Sequence, residues 1–508
     1  MSAVFTPAEI ALLGPYVTNV DGPVFALRNL PEEVVAVLFA YYSRSQDSLR
    51  KNLLKLVQDR DLDLVEPPPP PRSGDLDPLT AARRKATEFH ERWVVGYGHA
   101  SVAEHAVAHL ALEDVSIVAS KLVEDTRLAS FTEKSTRYVQ FDGEKFYREP
   151  RLMASAHAGR YAAMCRFLLE TYTRLMGPAT AAIRQELPRA AGQTERGHET
   201  ACRAQACDLL RYILPAATLT NIGMTINGRL LEHLIRKLAS HPLAEAQAIG
   251  AALKREARFI IPTLLKYAER NAYQAETPVA VREEAAELFA GLAPETAPSV
   301  ALVRWPEDAE VQLAAAILYG AAAHPWPQVL ARVAALPPER RDEVIDLYLT
   351  RRGPHDQPLR ALEHLTYTFD ILVDFGAFRD IQRHRMVTQT PQESTAVHGY
   401  DTPPAVARHG FEAAYRECMD RAQETYEAIR IDFPQEAQYV LPLAFRKRVL
   451  FTWNLRELIH FVELRSARQG HASYRRIAQQ VFQELERIQP LLARYIRVDL
   501  ADYGLARG

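Results

Sequence analysis

The chain has 508 residues and sets 61 Lys and Arg against 63 Asp and Glu, a formal charge of −2. At about 100–200 residues per domain, that length calls for two or more domains. The balanced charge excludes the strongly basic kind of nucleic-acid binder, so any anionic ligand must be held by a local group of arginines. No run approaches 18 consecutive apolar residues, and MSAVFTPAEI lacks a basic region followed by an apolar one, so neither a spanning helix nor a signal peptide is expected. The four cysteines (Cys165, Cys202, Cys207, Cys418) form no CxxC pair. The reading is a cytoplasmic protein with reduced thiols and with no nucleic-acid or membrane partner.

In chain order, PVFALRNL at 23–30 reads as a strand, and Pro67–Pro71 as a stiff, extended spacer. Asp77-Pro78 opens a helical pattern running to residue 98, and a second periodic run covers 102–126. RYVQF at 137–141 reads as a strand, followed by a helical run at 155–176. An Ala/Glu/Pro-rich stretch at 276–298 has the composition of a linker. SVALVRW at 299–305 reads as a strand, and helical runs follow at 361–383, 411–430 and 444–497. The mixture predicts an α+β chain rich in long helices.

An ordered internal repeat runs through this pattern. Leu30-Pro31-Glu32 returns as Trp305-Pro306-Glu307, and Glu104-His105 as Glu363-His364, 259 positions later. Glu170-Thr171-Tyr172 returns 254 positions later as Glu424-Thr425-Tyr426. Leu214-Pro215, Asn227-x-Arg229 and His233 return together, 227 positions on, as Leu441-Pro442, Asn454-x-Arg456 and His460. The falling offset places an insertion in the first copy around 178–205. A period above 200 residues is too long for a solenoid. The prediction is one domain duplicated in tandem: residues 1–275, a linker at 276–298, and residues 299–508.

Several motifs carry candidate chemistry. Arg383-His384-Arg385 closes a helical run, where cations suit the macrodipole. It reads either as a solvated basic tip or as a phosphate clamp, since Arg presents a planar fork of donors. In the first copy, the loop through Ser130, Glu133, Ser135, Arg137 and Tyr138 reads either as a capped turn or as a nucleotide-binding loop of hydroxyl, guanidinium and carboxylate groups. His105 and His109, at i and i+4 on the expected helix, have zinc-ligand spacing. The HExxH order and a third ligand are lacking, so no metal is assigned. No GxGxxG, P-loop or GxSxG pattern occurs.

Together these residues resemble the flavin-dependent thymidylate synthases, whose pattern includes HxSxxEH, RHR, an S-x-R-Y loop, R-x-x-L-P, N-x-R and a later Arg. The two copies divide that pattern. The first has His99, Ser101, Glu104 and His105, the loop with Ser135, Arg137 and Tyr138, and Arg211 before Leu214-Pro215. It reads Asp125-Thr126-Arg127 in place of RHR and Leu238 in place of the late Arg. The second copy has Arg383, His384, Arg385, Asn454, Arg456 and Arg465. There Glu393-Ser394 stands at the loop serine, Gln438 at the R-x-x-L-P arginine, and Pro358 and Arg360 at the His and Ser of HxSxxEH.

The resemblance implies a helix-rich α+β domain with a small antiparallel sheet, present twice. It implies reductive methylation of dUMP to dTMP, with FAD, NADPH and methylenetetrahydrofolate. Ser135, Arg137 and Arg211, with Glu133 in the same loop, then hold the dUMP phosphate and its surroundings, and Arg383 and Arg465 orient and polarise the uracil. The residues implied for FAD are His99, Ser101, Glu104, Arg383, His384, Arg385, Asn454, Arg456 and His460. Two chains forming a pseudo-tetramer would carry two working and two dead sites. The rival expectation is an inactive nucleotide- or flavin-binding paralogue with a structural or regulatory role.

Overall fold

The structure, a computed structural model, describes residues 5–42, 47–58, 100–141 and 143–503. The proline run at 67–71, the helical pattern at 77–98, and His99 lie outside the described residues. So does the Ser101 side chain.

The predicted α+β class holds, but three long helical expectations resolve into strand followed by helix. The 102–126 run is a 3₁₀ turn (Ala100–Glu104), strand β1 (Val107–Ser116) and a helix (Ile117–Glu124). The 361–383 run repeats this as Arg360–His364, a later strand at Thr366–Asp374 and a helix at Phe375–Ile381. The 444–497 run is a strand at Arg446–Asn454, then helices Leu455–Arg465 and Ala472–Ile488. The physical reason lies in period and caps. In Arg446–Asn454 the buried residues alternate as Lys447, Val449, Phe451 and Trp453, a period of two. Each helix starts only where a side chain can accept a first-turn N–H: Ser116 from Ala119, Asp374 from Ala377, and Asn454 from Glu457.

Numbered in chain order, the remaining strands are β2 (Ser130–Glu133), β3 (Leu219–Asn227), β4 (Val300–Arg304), β5 (Thr366–Asp374), β6 (Thr388–Pro391) and β7 (Arg446–Asn454). They form one sheet ordered β1-β3-β2 and another ordered β4-β5-β7-β6. The expected strand at 299–305 is β4. The strand expected at 137–141 is instead a turn, with β2 just upstream. That expected at 23–30 amounts to one bridge, Val17 to Leu27. Half of the linker-like stretch is helical: Ala272–Leu288 forms a helix that buries no residue.

The two copies fold alike. Ser130 opposes Thr225 in the β2–β3 ladder, and Thr388 opposes Thr452 in β6–β7, an identical register at the repeat offsets. Ile117 N–H donates to the Thr218 carbonyl, and Phe375 N–H to that of Phe445. The insertion shows as a 29-residue helix, Ala158–Glu186, against 18 residues in Glu412–Ile429, followed by the helix Glu195–Leu210.

The chain divides into two compact units. The first takes the described residues up to Glu113 with Leu128–Glu133 and Asn221–Ala290. Its core gathers Leu13, Val17, Val34, Leu38, Leu49, Leu53 and Leu54. The second takes Asp114–Arg127, Lys134–Thr220 and the residues from Gly291, so it draws on both sequence copies. In its core Trp453 stacks between Phe451 and Phe461, both centroids 5.0 Å away, contacts worth about 0.5–1.5 kcal/mol each beyond area burial.

Within that second unit the copies meet about a local two-fold. Pro215 bridges Pro442, its own counterpart at offset 227. Ala216 N–H donates to the Leu441 carbonyl at 2.9 Å, and Leu443 N–H to that of Leu214 at 3.0 Å. One shell out, Ala217 bonds Tyr439 at 2.9 Å while Ala444 bonds Tyr212 at 3.1 Å. Each of these four backbone bonds has its image, as an isologous contact requires.

Candidate active site

The second unit brings together the arginines that the two copies divide. From the first copy, Arg137 sits in the turn after β2, where the Ser135 hydroxyl accepts its N–H at 3.2 Å. Its guanidinium grips Asp208 through Nε at 2.6 Å and Nη2 at 2.8 Å, and donates from Nη1 to the Tyr474 hydroxyl at 3.0 Å. From the second copy, Arg465 closes the helix begun at Asn454 and lies 5.2 Å from the centroid of that same Tyr474 ring. Tyr474 thus contacts one guanidinium from each copy.

Asp380, on the helix capped by Asp374, accepts from Arg211 Nη1 at 3.2 Å, and its backbone carbonyl accepts from Arg465 Nη2 at 2.7 Å. Burial alone would raise the Asp380 carboxyl. Arg211, Arg465, Arg137 and Arg383 overcome that and hold it well below the usual carboxylate range. Asp208 is likewise held ionised, its burial outweighed mainly by the Arg137 hydrogen bonds.

His384 is buried between two partners of opposite demand. Arg465 Nε can only donate, so His384 Nε2, at 2.9 Å, is the acceptor. Nδ1 therefore carries the proton and donates it to Glu457 at 2.8 Å. Burial keeps the ring neutral by lowering its pKa. His471 is neutral for the same reason, pushed down to about 3 by burial and then by Arg211.

Arg211 is the residue with donors to spare. It is 2% exposed, and its Nε and Nη2 have no hydrogen-bond partner. A buried guanidinium with two unmatched N–H groups is costly unless an acceptor arrives. The four arginines 137, 211, 383 and 465 all act on Asp380, with Asp208 on Arg137, Glu124 4.0 Å from Arg383, and Asp374 near Arg211. The acceptor that the open Arg211 donors suit is an anionic oxygen such as that of a phosphate.

The other expected site residues divide into several environments. Arg383 keeps half its side chain exposed and lies 4.0 Å from Glu124. Arg385 donates to the Thr126 carbonyl at 3.4 Å, and Arg127, at the equivalent place in the first copy, donates to that of Val387 at 3.1 Å. His460 packs its ring 5.4 Å from His384. Asn454 is occupied as a helix cap, and Arg456 binds Glu363 at 2.8 Å and the Pro358 carbonyl at 2.7 Å. Glu104, in the first unit, pairs with Arg229 at 2.5 Å, and Glu133 belongs to β2 of that unit. His105 and His109 do not share a helix. His105 ends a 3₁₀ turn and packs on Phe39, and His109, on β1, contacts Thr225.

The sequence reading missed Asp208, Asp380 and Tyr474. A signal for the first two was available: each carboxylate stands three residues, about one turn, before a site arginine, Arg211 and Arg383. All four cysteines are buried and unbridged, and burial pushes the Cys165 thiol up to about 12. None is poised as a nucleophile.

A family model described as thymidylate synthase complementing protein matches residues 58–263 and again 302–491, one region in each copy. A UPF0159 protein of Chlamydia pneumoniae is 37% identical over 99% of this chain and 97% of its own. One from Thermoplasma acidophilum is 29% identical over 84% and 91% respectively. A flavin-dependent thymidylate synthase of Sulfolobus acidocaldarius is 28% identical over 31% of this chain and 63% of its own length. Among solved structures, the Helicobacter pylori flavin-dependent thymidylate synthase complexed with FAD and dUMP matches 39% of this chain and all of its own, at 17% identity and a TM-score of 0.30.

Proposed function

We propose, for a chain that belongs to the thymidylate synthase complementing protein family in a tandem two-copy form, that it methylates dUMP reductively to dTMP at a site drawing on both copies of one chain. Methylenetetrahydrofolate would be the carbon donor and NADPH the reductant. The observation carrying this reading is the pair of unmatched, buried Arg211 donors inside a cluster of arginines from both copies.

FAD, when bound, supplies the hydride chemistry. Its diphosphate needs cationic donors that remain reachable, and half-exposed Arg383 with partly exposed Arg385 fits that need. Arg211 takes the substrate phosphate first, because its Nε and Nη2 lack an acceptor. Arg137 is already held bidentate by Asp208 and acts beside it, with the Ser135 hydroxyl at hand. Arg465 and Arg383 orient the uracil and offset negative charge that builds on its carbonyl oxygen. His384 is a positioning residue: neutral and fixed by Glu457, it receives the Arg465 Nε–H and sets the fork's direction. The pseudo-tetrameric dimer belongs to the same reading.

One observation favours the rival, a nucleotide- or flavin-binding protein without turnover: Asp380 places a carboxylate among the four arginines. Two measurements separate the readings. Purified protein is expected to show a flavin spectrum and to release tritium from 5-tritiated dUMP; flavin without tritium release sinks the enzyme. Co-expressing Arg137→Ala chains with Arg383→Ala chains is expected to leave mixed dimers inactive, since each chain's own site is then damaged. Recovered activity would mean that sites form across chains.

A further inference from the structure

Behind Asp208 and His471, still within the second unit, lies a cavity of about 310 Å³ that the reaction above does not use. That is within the range of small-molecule sites. Gln205 lines it and is 3% exposed, yet neither its amide nitrogen nor its amide oxygen has a hydrogen-bond partner. The mouth carries two exposed cations. Arg408 makes a 3.4 Å contact with Glu186, and Arg476 acts on Asp401, which lines the cavity with Asp502. The first turn of the 17-residue helix Ala472–Ile488 forms part of the wall, adding a positive dipole end.

The other copy shows what these positions look like when nothing is left over. Counted from the shared Leu-Pro at offset 227, Gln205 aligns with Asp432, which lies in a turn rather than a helix and pairs with His157 at 2.8 Å. The counterpart of Ala405 is Arg151, which pairs with buried Glu436 at 2.5 Å. There, carboxylates and cations match. Here, a buried amide keeps both a donor and an acceptor unmatched beside empty volume.

A primary amide with both groups open is complementary to a planar edge carrying an adjacent acceptor and donor, which is how Asn and Gln pair with nucleobases. The exposed cations Arg408 and Arg476 in the same lining suit a phosphate. From this we infer that the cavity is a second nucleotide site, taking a nucleoside monophosphate with its base edge on Gln205 and its phosphate toward Arg408 and Arg476. It shares Asp208 and His471 with the wall of the arginine cluster, so occupancy at one site bears on the other through those residues. The inference does not depend on the proposed reaction.

The test is isothermal titration of AMP, GMP, CMP, UMP and dTMP, with inorganic phosphate as a further titrant, into the full chain and into Gln205→Leu. Leucine matches the amide in shape and removes a buried unmatched polar group, so the variant is expected to melt no lower than the parent. At least one nucleotide should bind about tenfold or more weakly to Gln205→Leu, with inorganic phosphate unaffected. Equal binding of all five nucleotides by both proteins overturns the site, and so does absence of binding to the parent. A loss that inorganic phosphate reproduces in full overturns the base-reading role of Gln205. An Arg408→Ala, Arg476→Ala double variant, altered only at exposed positions, should weaken the same nucleotide; if it does not, the phosphate placement is wrong.

Discussion

Set side by side at the repeat offsets, the two faces about the Pro215–Pro442 bridge differ in charge as whole sets. Arg211 and Asp208 on one face correspond to Gln438 and Gln435 on the other. Arg465, His384 and Asp380 correspond to Leu238, Thr126 and Leu122. Where the arginines survive, the carboxylates that neutralise them survive too; where an arginine is gone, its carboxylate is gone with it. An unpaired buried charge costs several kcal/mol, while a neutral pair of similar size costs little. The charges therefore come and go together. The exception is Lys447, the counterpart of Thr220. Burial pushes it down to about 8, and it donates to the Ser394 hydroxyl at 3.2 Å while lying 5.0 Å from the Phe378 ring centroid.

The sharpest way to break this comparison is to mutate both members of one pair. Arg211→Met should abolish tritium release, by about 10³-fold or more, and strand Asp380 at a cost of about 3–5 kcal/mol in urea unfolding. Gln438→Met should change activity less than about twofold. Equal losses from the two would mean that both faces work.

The next largest effect concerns the caps. Asp374 is fully buried where the first copy has Ser116. Burial, and then the Asp401 charge, raise its carboxyl to about 6. A folded pKa above the unfolded one means that the neutral form is favoured on folding. Its stabilising contribution is complete below about pH 4 and lost as pH rises through 6. Asp374→Asn should flatten the fall in unfolding free energy across that window, about 1–3 kcal/mol. A parent and variant with parallel pH profiles would remove Asp374 as the source.

The smallest effect is at Lys447. Its folded pKa lies below the unfolded value, so the parent should gain stability as pH rises from 8 toward 10.5. Lys447→Met should remove that rise and stabilise the protein by about 1–2 kcal/mol at pH 7. A destabilised variant would show instead that the ammonium's contacts with Ser394 and the Phe378 ring outweigh its burial.

Much of this was legible in the sequence because the repeat is written in residues that shape the backbone. Leu214-Pro215 and Leu441-Pro442 mark the two-fold bridge, and Asn227 and Asn454 cap equivalent helices. The family and the grouping of Arg137, Arg211 and Arg465 in one unit follow the same motifs. The helix–strand boundaries were not legible. Thr366–Asp374 is nine residues long and buried on both faces over most of its length, so a period of two is masked and a longer helical run fits as well. Nor was Gln205 visible, since an unmatched amide is defined by what fails to surround it.

The Pro215–Pro442 bridge also bears on concentration. Two separate copies must find each other, and a site needing both would fade on dilution. Joined in one chain, the pairing is unimolecular, with the tether setting an effective concentration independent of how much protein is present. Specific activity per chain should then hold constant down to dilutions at which any contact between chains has dissociated.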